Sequence, residues 1–194
     1  MFPVPYFPSG GYDVAYAWPD PAESGPLMTP LARLVTLAAA SPTLRERCGL
    51  ATDDPDASDL LVEGGDGFVR RIFYPASDRD DFAAYPAVII FLGSEFTWEH
   101  VASGSQHYLR PRGTLELSIY DEDRYPLSMA QSTTDFANFV GNFLQDLASQ
   151  FASDDELAGN EITQMGRPSL LPLEHSAGHG KEIWHAEYII RWSS

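Results

Sequence analysis

The sequence is short of the residues from which most chemical sites are built. It has one cysteine, Cys48, among 194 residues, so no intrachain disulfide can form and a Cys-rich zinc site is excluded. That usage fits folding in a reducing cytosol better than a disulfide-stapled secreted domain. Basic charge is scarce too: 12 Lys+Arg against 28 Asp+Glu leave a formal net charge of −16. A surface of that sign disfavours general binding to DNA, RNA or an anionic membrane, because each neutralised phosphate needs a cation. Solubility is the plain consequence of such acidity. The sharper one is a surface past which nucleic acid moves without sticking. No run approaches the roughly 20 apolar residues of a membrane span. Residues Met1 to Pro8 have neither the basic n-region nor the unbroken apolar run of a signal peptide. A soluble chain with no membrane partner is expected.

Catalytic motifs are also missing. Neither G-x-x-x-x-G-K-[ST] nor G-x-G-x-x-G occurs, so nucleotide binding through those loops is excluded. Gly93-Ser94-Glu95 and Gly104-Ser105-Gln106 each place a serine after a glycine. Neither meets G-x-S-x-G, and neither sits between a strand and a helix. Five histidines, His100, His107, His175, His179 and His185, are candidate metal ligands, with Glu99 or Glu174 as carboxylates. His175 and His179 are four apart, but Ser176-Ala177-Gly178 between them and Gly180 after them are loop composition. The helical spacing of H-E-x-x-H therefore does not apply. His185 reads as a solvent-facing partner of Glu187 at the edge of the last strand. The acidic runs Asp121-Glu122-Asp123 and Asp154-Asp155-Glu156 fall at element ends and lack the ligand spacing of a dedicated cation loop. No catalytic residue, cofactor or metal site is assigned, and an enzyme is not expected.

What is present suffices for a core: 44% of residues are hydrophobic and 12% aromatic, which argues against global disorder. Residues 1–27 stand apart as an extended arm. Six prolines there alternate with aromatics that include Phe2, Tyr6, Phe7, Tyr12 and Trp18. Proline fixes φ and removes an N–H, which disfavours both helix and central strand. The aromatics are costly to leave in water, which points to an arm lying on its own domain or a neighbour. Residues 28–194 form a single α+β domain.

Within it, Thr29 as N-cap before Pro30 opens a helical pattern with Leu31, Leu34, Val35 and Ala38, and Ser41-Pro42 restarts it as far as Gly49. An acidic, glycine-rich stretch from Ala51 to Gly67 reads as loop, with a brief strand over Asp59 to Glu63. Strands are predicted over Val69 to Tyr74 and Ala87 to Leu92, which are rich in Val, Ile and Phe. Two legs of a ribbon follow, Phe96 to His100 and Gln106 to Arg110. Thr114 to Tyr120 alternates apolar and polar residues, as a half-buried strand does. Ser128 with Gln131 forms a capping box for the main helix, whose buried stripe is Phe136, Phe139, Val140, Phe143, Leu144, Leu147 and Phe151. Asp135 and Asp146 fall on its polar face. Glu161 to Met165 and Ile183 to Trp192 are the last strands. The expected architecture is a mixed, mostly antiparallel sheet packed against two main helices.

Interaction features are the positive signal. In the segment from Glu95 to Arg112, Phe96, Trp98, Tyr108 and Leu109 are large and apolar, while Arg110 and Arg112 add basic charge to a chain with little of it. Aromatics and arginine concentrate binding energy at interfaces. The competing expectation is that Trp98 and Tyr108 finish the core.

The order of elements then carries a resemblance. A leading helix ends in Ser41-Pro42-Thr43-Leu44-Arg45-Glu46-Arg47-Cys48-Gly49. Arg71-Ile72-Phe73-Tyr74-Pro75 follows, then Tyr85-Pro86-Ala87-Val88-Ile89-Ile90 and Arg112-Gly113-Thr114-Leu115-Glu116-Leu117-Ser118-Ile119-Tyr120. A long helix comes next, and the chain closes on Trp184-His185-Ala186-Glu187-Tyr188-Ile189-Ile190-Arg191-Trp192. Over residues 28 to 192 this resembles the tail terminator (tail completion) proteins of long-tailed bacteriophages and related gene-transfer particles. The arm and the acidic loop of residues 51–66 depart from that pattern. The resemblance implies a virion protein of the tail-neck region, assembled in the host cytoplasm as a homo-hexamer. Its ring would cap the tail tube protein, meet the head-tail connector or stopper protein, and let genomic DNA pass its lumen without specific binding. It supplies no catalytic residues. The rival readings are another neck component, a metal-dependent hydrolase using His175, His179 and His100, and a monomeric binding module whose arm docks a peptide.

Overall fold

The computed structural model describes residues 28–53, 58–61, 70–73, 84–103, 106–151, 161–172 and 182–193. The arm of residues 1–27, with Phe2, Tyr6, Phe7, Tyr12 and Trp18, lies outside them, as do His175, His179 and the acidic run 154–156.

Five strands of the described residues make one sheet: β1 (Ile72–Phe73), β2 (Ala87–Ser103), β3 (Gln106–Glu122), β4 (Glu161–Pro172) and β5 (Glu182–Ser193). Their order is β1-β2-β3-β5-β4. Only β1 and β2 run parallel; the remaining neighbours are antiparallel. Among the described residues four helices complete the fold: α1 (Met28–Ala39), α2 (Pro42–Arg47), α3 (Ser58–Leu61) and α4 (Met129–Phe151). The chain is thus α+β with a mixed, mostly antiparallel sheet.

Directly opposed residues share a face of a sheet, and the register fixes which face meets the helices. Val88↔Ile119, Ile90↔Leu117 and Leu92↔Leu115 pair across β2 and β3. Ile119↔Ala186, Leu117↔Tyr188 and Leu115↔Ile190 carry the same face into β5. Against it pack Leu31, Leu34, Val35 and Ala38 of α1, together with Phe136, Phe139, Val140, Phe143 and Leu147 of α4, in one buried cluster. Of the helical stripes read from the sequence these residues are buried and Leu144 is half-buried, while the Phe151 side chain lies outside the described set. Phe73, Ala87 and Ile89 form a smaller cluster on the opposite face, where Tyr120 and Phe91 pack on them.

Several boundaries differ from the sequence reading, each for a local reason. The first helix begins at Met28, so Thr29 and Pro30 occupy its first turn, where a missing N–H costs nothing. Ser41 does cap α2: its Oγ accepts from the Leu44 N–H at 3.2 Å. Gly49 ends it with φ +77°, and the Leu50 N–H returns to the Arg45 carbonyl. The stretch around Asp59 is helical, not extended, because Leu60 is buried there and the Asp59 carboxylate is held by Arg45 at 2.9 and 3.1 Å. Ser128 accepts from the Gln131 N–H at 3.4 Å, while its own N–H goes to the Tyr125 carbonyl, so half of the expected capping box is made. His185 is not at an edge, since β5 lies between β3 and β4; it stacks on Tyr120 with centroids 4.4 Å apart and sits 3.5 Å from Glu187.

The largest difference is in length. The two ribbon legs are continuous with the core strands, so β2 and β3 are 17-residue strands. Between Leu92 and Phe96 the β2 strand carries two residues more than β3 does between Leu115 and Gly113. That irregularity bends the hairpin where it leaves the sheet. The bend demands glycine on both strands. A Cβ on Gly93 would lie 2.1 Å from the Thr114 Oγ1 and 2.8 Å from its carbonyl oxygen; one on Gly113 would lie 2.8 Å from the Glu95 carbonyl oxygen. Gly93→Ala is expected to cost about 1–3 kcal/mol by forcing the strands apart. Urea denaturation checks this, with the neighbouring exposed Ser94→Ala staying near wild type.

Candidate functional site

Beyond Gly113 the sheet narrows to two strands. The β3–β5 ladder ends at Arg112↔Ser193, yet β2 and β3 stay paired from Thr97↔Arg112 out to Ser103↔Gln106. Seven paired residues per strand project about 20 Å at roughly 3.3 Å each. Among the described residues no third strand pairs with this ribbon beyond Arg112, which still meets Ser193 of β5. An isolated two-stranded hairpin is marginal in water, so a projecting ribbon of this length calls for support along a face or an edge.

One face of the ribbon is built to receive that support. Trp98↔Pro111 and His100↔Leu109 are opposed pairs on the face that continues the helix-covered side of the sheet. Burial ends partway along it. Ile90 and Leu117 are fully buried, Leu92 is exposed, Trp98 is 51% exposed and Leu109 61%. The apolar alternation of the core therefore runs past the point where the helices cover it. Phe96 anchors the base, edge-on to Trp98 at 5.7 Å and tilted on the buried Trp192 at 6.1 Å. Further out, His100 and His107 stack with centroids 5.0 Å apart.

Charge lies on the other face. Arg112 donates to the Thr97 Oγ1 at 3.4 Å and to the Glu99 Oε2 at 3.3 Å, and Arg110 pairs with Glu99 in register. The structure thus separates residues that the sequence reading grouped. Trp98 and Leu109 share one face with the half-buried Phe96, while Arg110 and Arg112 sit on the opposite one. Trp98 does not finish the core; Phe96 does. Tyr108 is placed only by its backbone, opposite Val101.

The far end of the sheet is rigidified by ion pairs that no local sequence signal announced. Arg47, at the end of α2, donates from Nε to the Asp121 Oδ2 at 2.8 Å and from Nη1 to the Asp135 Oδ1 at 3.1 Å. It also stacks on Phe139 with its guanidinium carbon 5.1 Å from the ring centre. Asp121 is 1% exposed. The run 121–123, read as ordinary acids at an element end, therefore holds an arginine rather than a free cation site. Asp123 accepts from the Ser132 hydroxyl at 2.6 Å, and that hydroxyl accepts from the Trp184 indole N–H at 2.6 Å. Asp146, predicted on the wet face of α4, takes the Ser41 hydroxyl at 2.7 Å and the Thr43 N–H at 2.9 Å. Burial raises the Asp121 carboxyl, with Arg47 opposing the shift. The hydrogen bond from Arg47 lowers Asp135. For Arg47, burial works against the charge, but the two carboxylates outweigh it and its pKa is raised.

Next to this knot lies an exposed apolar shelf that the sequence reading passed over. Tyr125, Leu127 and Met129 are exposed in the turn between β3 and α4, and Leu127 is fully so. A shallow, open depression of about 430 Å³ adjoins it, lined by Tyr125, Ala130, Gln131, Thr134, Asp135 and Asn138. The available signal was a leucine standing just before a helix N-terminus, outside any apolar stripe.

Other candidate groups are placed as follows. Burial pushes the Cys48 thiol up to about 11, so it is protonated at neutral pH and a poor nucleophile. Ser94 sits in the bulged stretch of β2. Among the described residues no three His, Cys, Asp or Glu side chains gather as a metal site, and no helix is long and apolar enough to cross a membrane. Compared with known proteins, the chain matches no family model and no curated sequence.

Removing Arg47 leaves a buried, unpaired Asp121, and losing one partner of such a pair costs about 3–5 kcal/mol. Arg47→Met is therefore expected to lose that much stability at pH 7 in denaturant titrations. The lowered Asp135 contributes stability that is present above its ordinary value of 3.8 and lost as pH falls below it. The raised Asp121 carries a penalty that is lost earlier, as pH falls from its raised value toward 3.8. Without Arg47 to oppose the rise, Asp121 of Arg47→Met protonates above pH 3.8, so the gap between wild type and variant should begin to narrow above pH 3.8 and narrow further below it as Asp135 protonates.

Proposed function

We propose that the chain is a structural, ring-forming protein of a phage virion neck. Within that class the role it fits best is the tail terminator: a homo-hexameric ring that caps the completed tail tube and forms the tail side of the head-tail joint. The observation that carries this reading is the two-stranded ribbon of residues 97–112, whose exposed Trp98 and Leu109 extend the core face beyond the molecule's own helices. Surfaces of that kind are covered by a partner in the working assembly. A ring needs a head-to-tail contact between two different patches of each copy, and a projecting hairpin at one end of a long sheet suits such a contact.

The element order that resembles tail terminators supports the same reading, and so does charge. At −16 per copy, a ring wall repels the phosphate backbone instead of retaining it, which suits passage of DNA. The buried polar residues Ser41, Arg45, Asp121 and Ser132 bind element to element. They stiffen a scaffold.

Negative-stain electron microscopy of the concentrated protein is expected to show rings of six copies around an open lumen. Particles of single-copy size at all concentrations, together with a failure to cap tubes of the cognate tail tube protein, would contradict the proposal.

A further inference from the structure

Two exposed apolar features, the ribbon face and the shelf, lie at opposite ends of the same strand. β3 begins beside the ribbon tip at Gln106, runs the length of the sheet and ends at Glu122, after which the chain turns through Tyr125 and Leu127 into α4. One copy cannot bring its own ribbon to its own shelf without breaking the sheet between them. Two copies can do so head to tail.

From this placement we infer that the Trp98–Leu109 face of one copy docks on the Tyr125–Leu127–Met129 shelf of the next copy. The inference rests on the ring reading above and names the two halves of its interface. Both sides are apolar and exposed: Trp98 and Leu109 on the ribbon, Leu127 and Met129 on the shelf. The shallow depression of about 430 Å³ adjoins the shelf at Tyr125.

Charge favours this pairing over a ribbon-to-ribbon dimer. Residues 97–112 hold Arg110 and Arg112 against Glu99, a net +1, so the rest of the chain carries −17 of the total −16. Two ribbons facing each other bring like charge together, whereas a ribbon on the body of another copy meets opposite charge. Around the shelf Asp121, Glu122, Asp123 and Asp135 stand against Arg47 and Arg124, four acids to two bases, so it is net acidic. The ribbon's arginines lie on the face away from Trp98, at its flank when that face is docked. They act across the rim of the contact, and salt weakens them there.

The contact is heterologous: an open arc keeps one unused ribbon at one end and one unused shelf at the other until the ring closes. That property gives a test by complementation. One variant carries Trp98→Asp with Leu109→Asp; the other carries Leu127→Asp with Met129→Asp. All four side chains are exposed, and unchanged thermal melting verifies that both variants fold. Each variant alone should sediment as the 21.4 kDa single chain. An equimolar mixture should give a dimer of one ribbon-intact copy and one shelf-intact copy, and nothing larger. If wild type assembles and the shelf variant assembles equally well, the shelf is not the acceptor, and the inference fails while the ring reading stands. If each variant alone still forms dimers, the contacts are ribbon to ribbon and shelf to shelf, and if both are monomeric and their mixture stays monomeric, the two patches do not meet; either result overturns the inference. A wild-type chain that stays monomeric at millimolar concentration removes both.

Discussion

The structure depends most on one side chain, the Arg47 guanidinium held between Asp121 and Asp135. It ties the end of α2 to the last residues of β3 and the first turns of α4, so that the helix layer and the sheet are fixed to each other at one end. Its partners are 74 and 88 residues away in sequence. Such a pair is retained for what it positions, because desolvating three charged groups offsets most of their attraction. The hydroxyl of Ser132 joins the same corner by bridging Trp184 to Asp123. With that corner locked, the long β2–β3 hairpin has a fixed base, and its far end projects in a defined direction.

Glycine makes the projection possible. At Gly93 and Gly113 the two strands approach so closely that no side chain fits. The hairpin therefore bends out of the sheet at the point where β5 ends. Beyond the bend the inside-outside alternation continues unchanged, but nothing among the described residues covers the inside. The same pleat that buries Ile90 and Leu117 thus presents Trp98 and Leu109 to solvent. An assembly surface made this way needs no new local motif; it is the core pattern carried past the core.

This also explains what was legible in the sequence and what was not. The α4 stripe from Phe136 to Leu147 and the β5 alternation from Trp184 to Trp192 follow from periodicity, which is a local property, and both are buried as read. The fold class followed from them. The continuity of β2 was not legible, because Gly93-Ser94-Glu95 looks like a loop in one dimension and becomes a bulge only opposite Thr114. The short helix at Asp59 was missed because Arg45, which holds it, lies 14 residues back. Asp135 and Asp146 looked like solvated charges on an amphipathic helix; their partners Arg47, Ser41 and Thr43 arrive from α2 and its cap. For the candidate site, Trp98 was legible as an aromatic in a cationic segment. Its separation from Arg110 and Arg112 by the pleat, and the shelf at Leu127, needed the register.

The central claim is that the ribbon of residues 97–112 is an intermolecular contact surface, marginal alone and stabilised by another copy. Amide hydrogen exchange read by mass spectrometry, on the native chain across a range of protein concentrations, tests it most directly. The account predicts fast exchange over residues 97–111 at low concentration and rising protection there as concentration increases, with Val88–Ile90 and Leu115–Ile119 protected throughout. Equal exchange of the ribbon at every concentration, while the native mass rises, would contradict it.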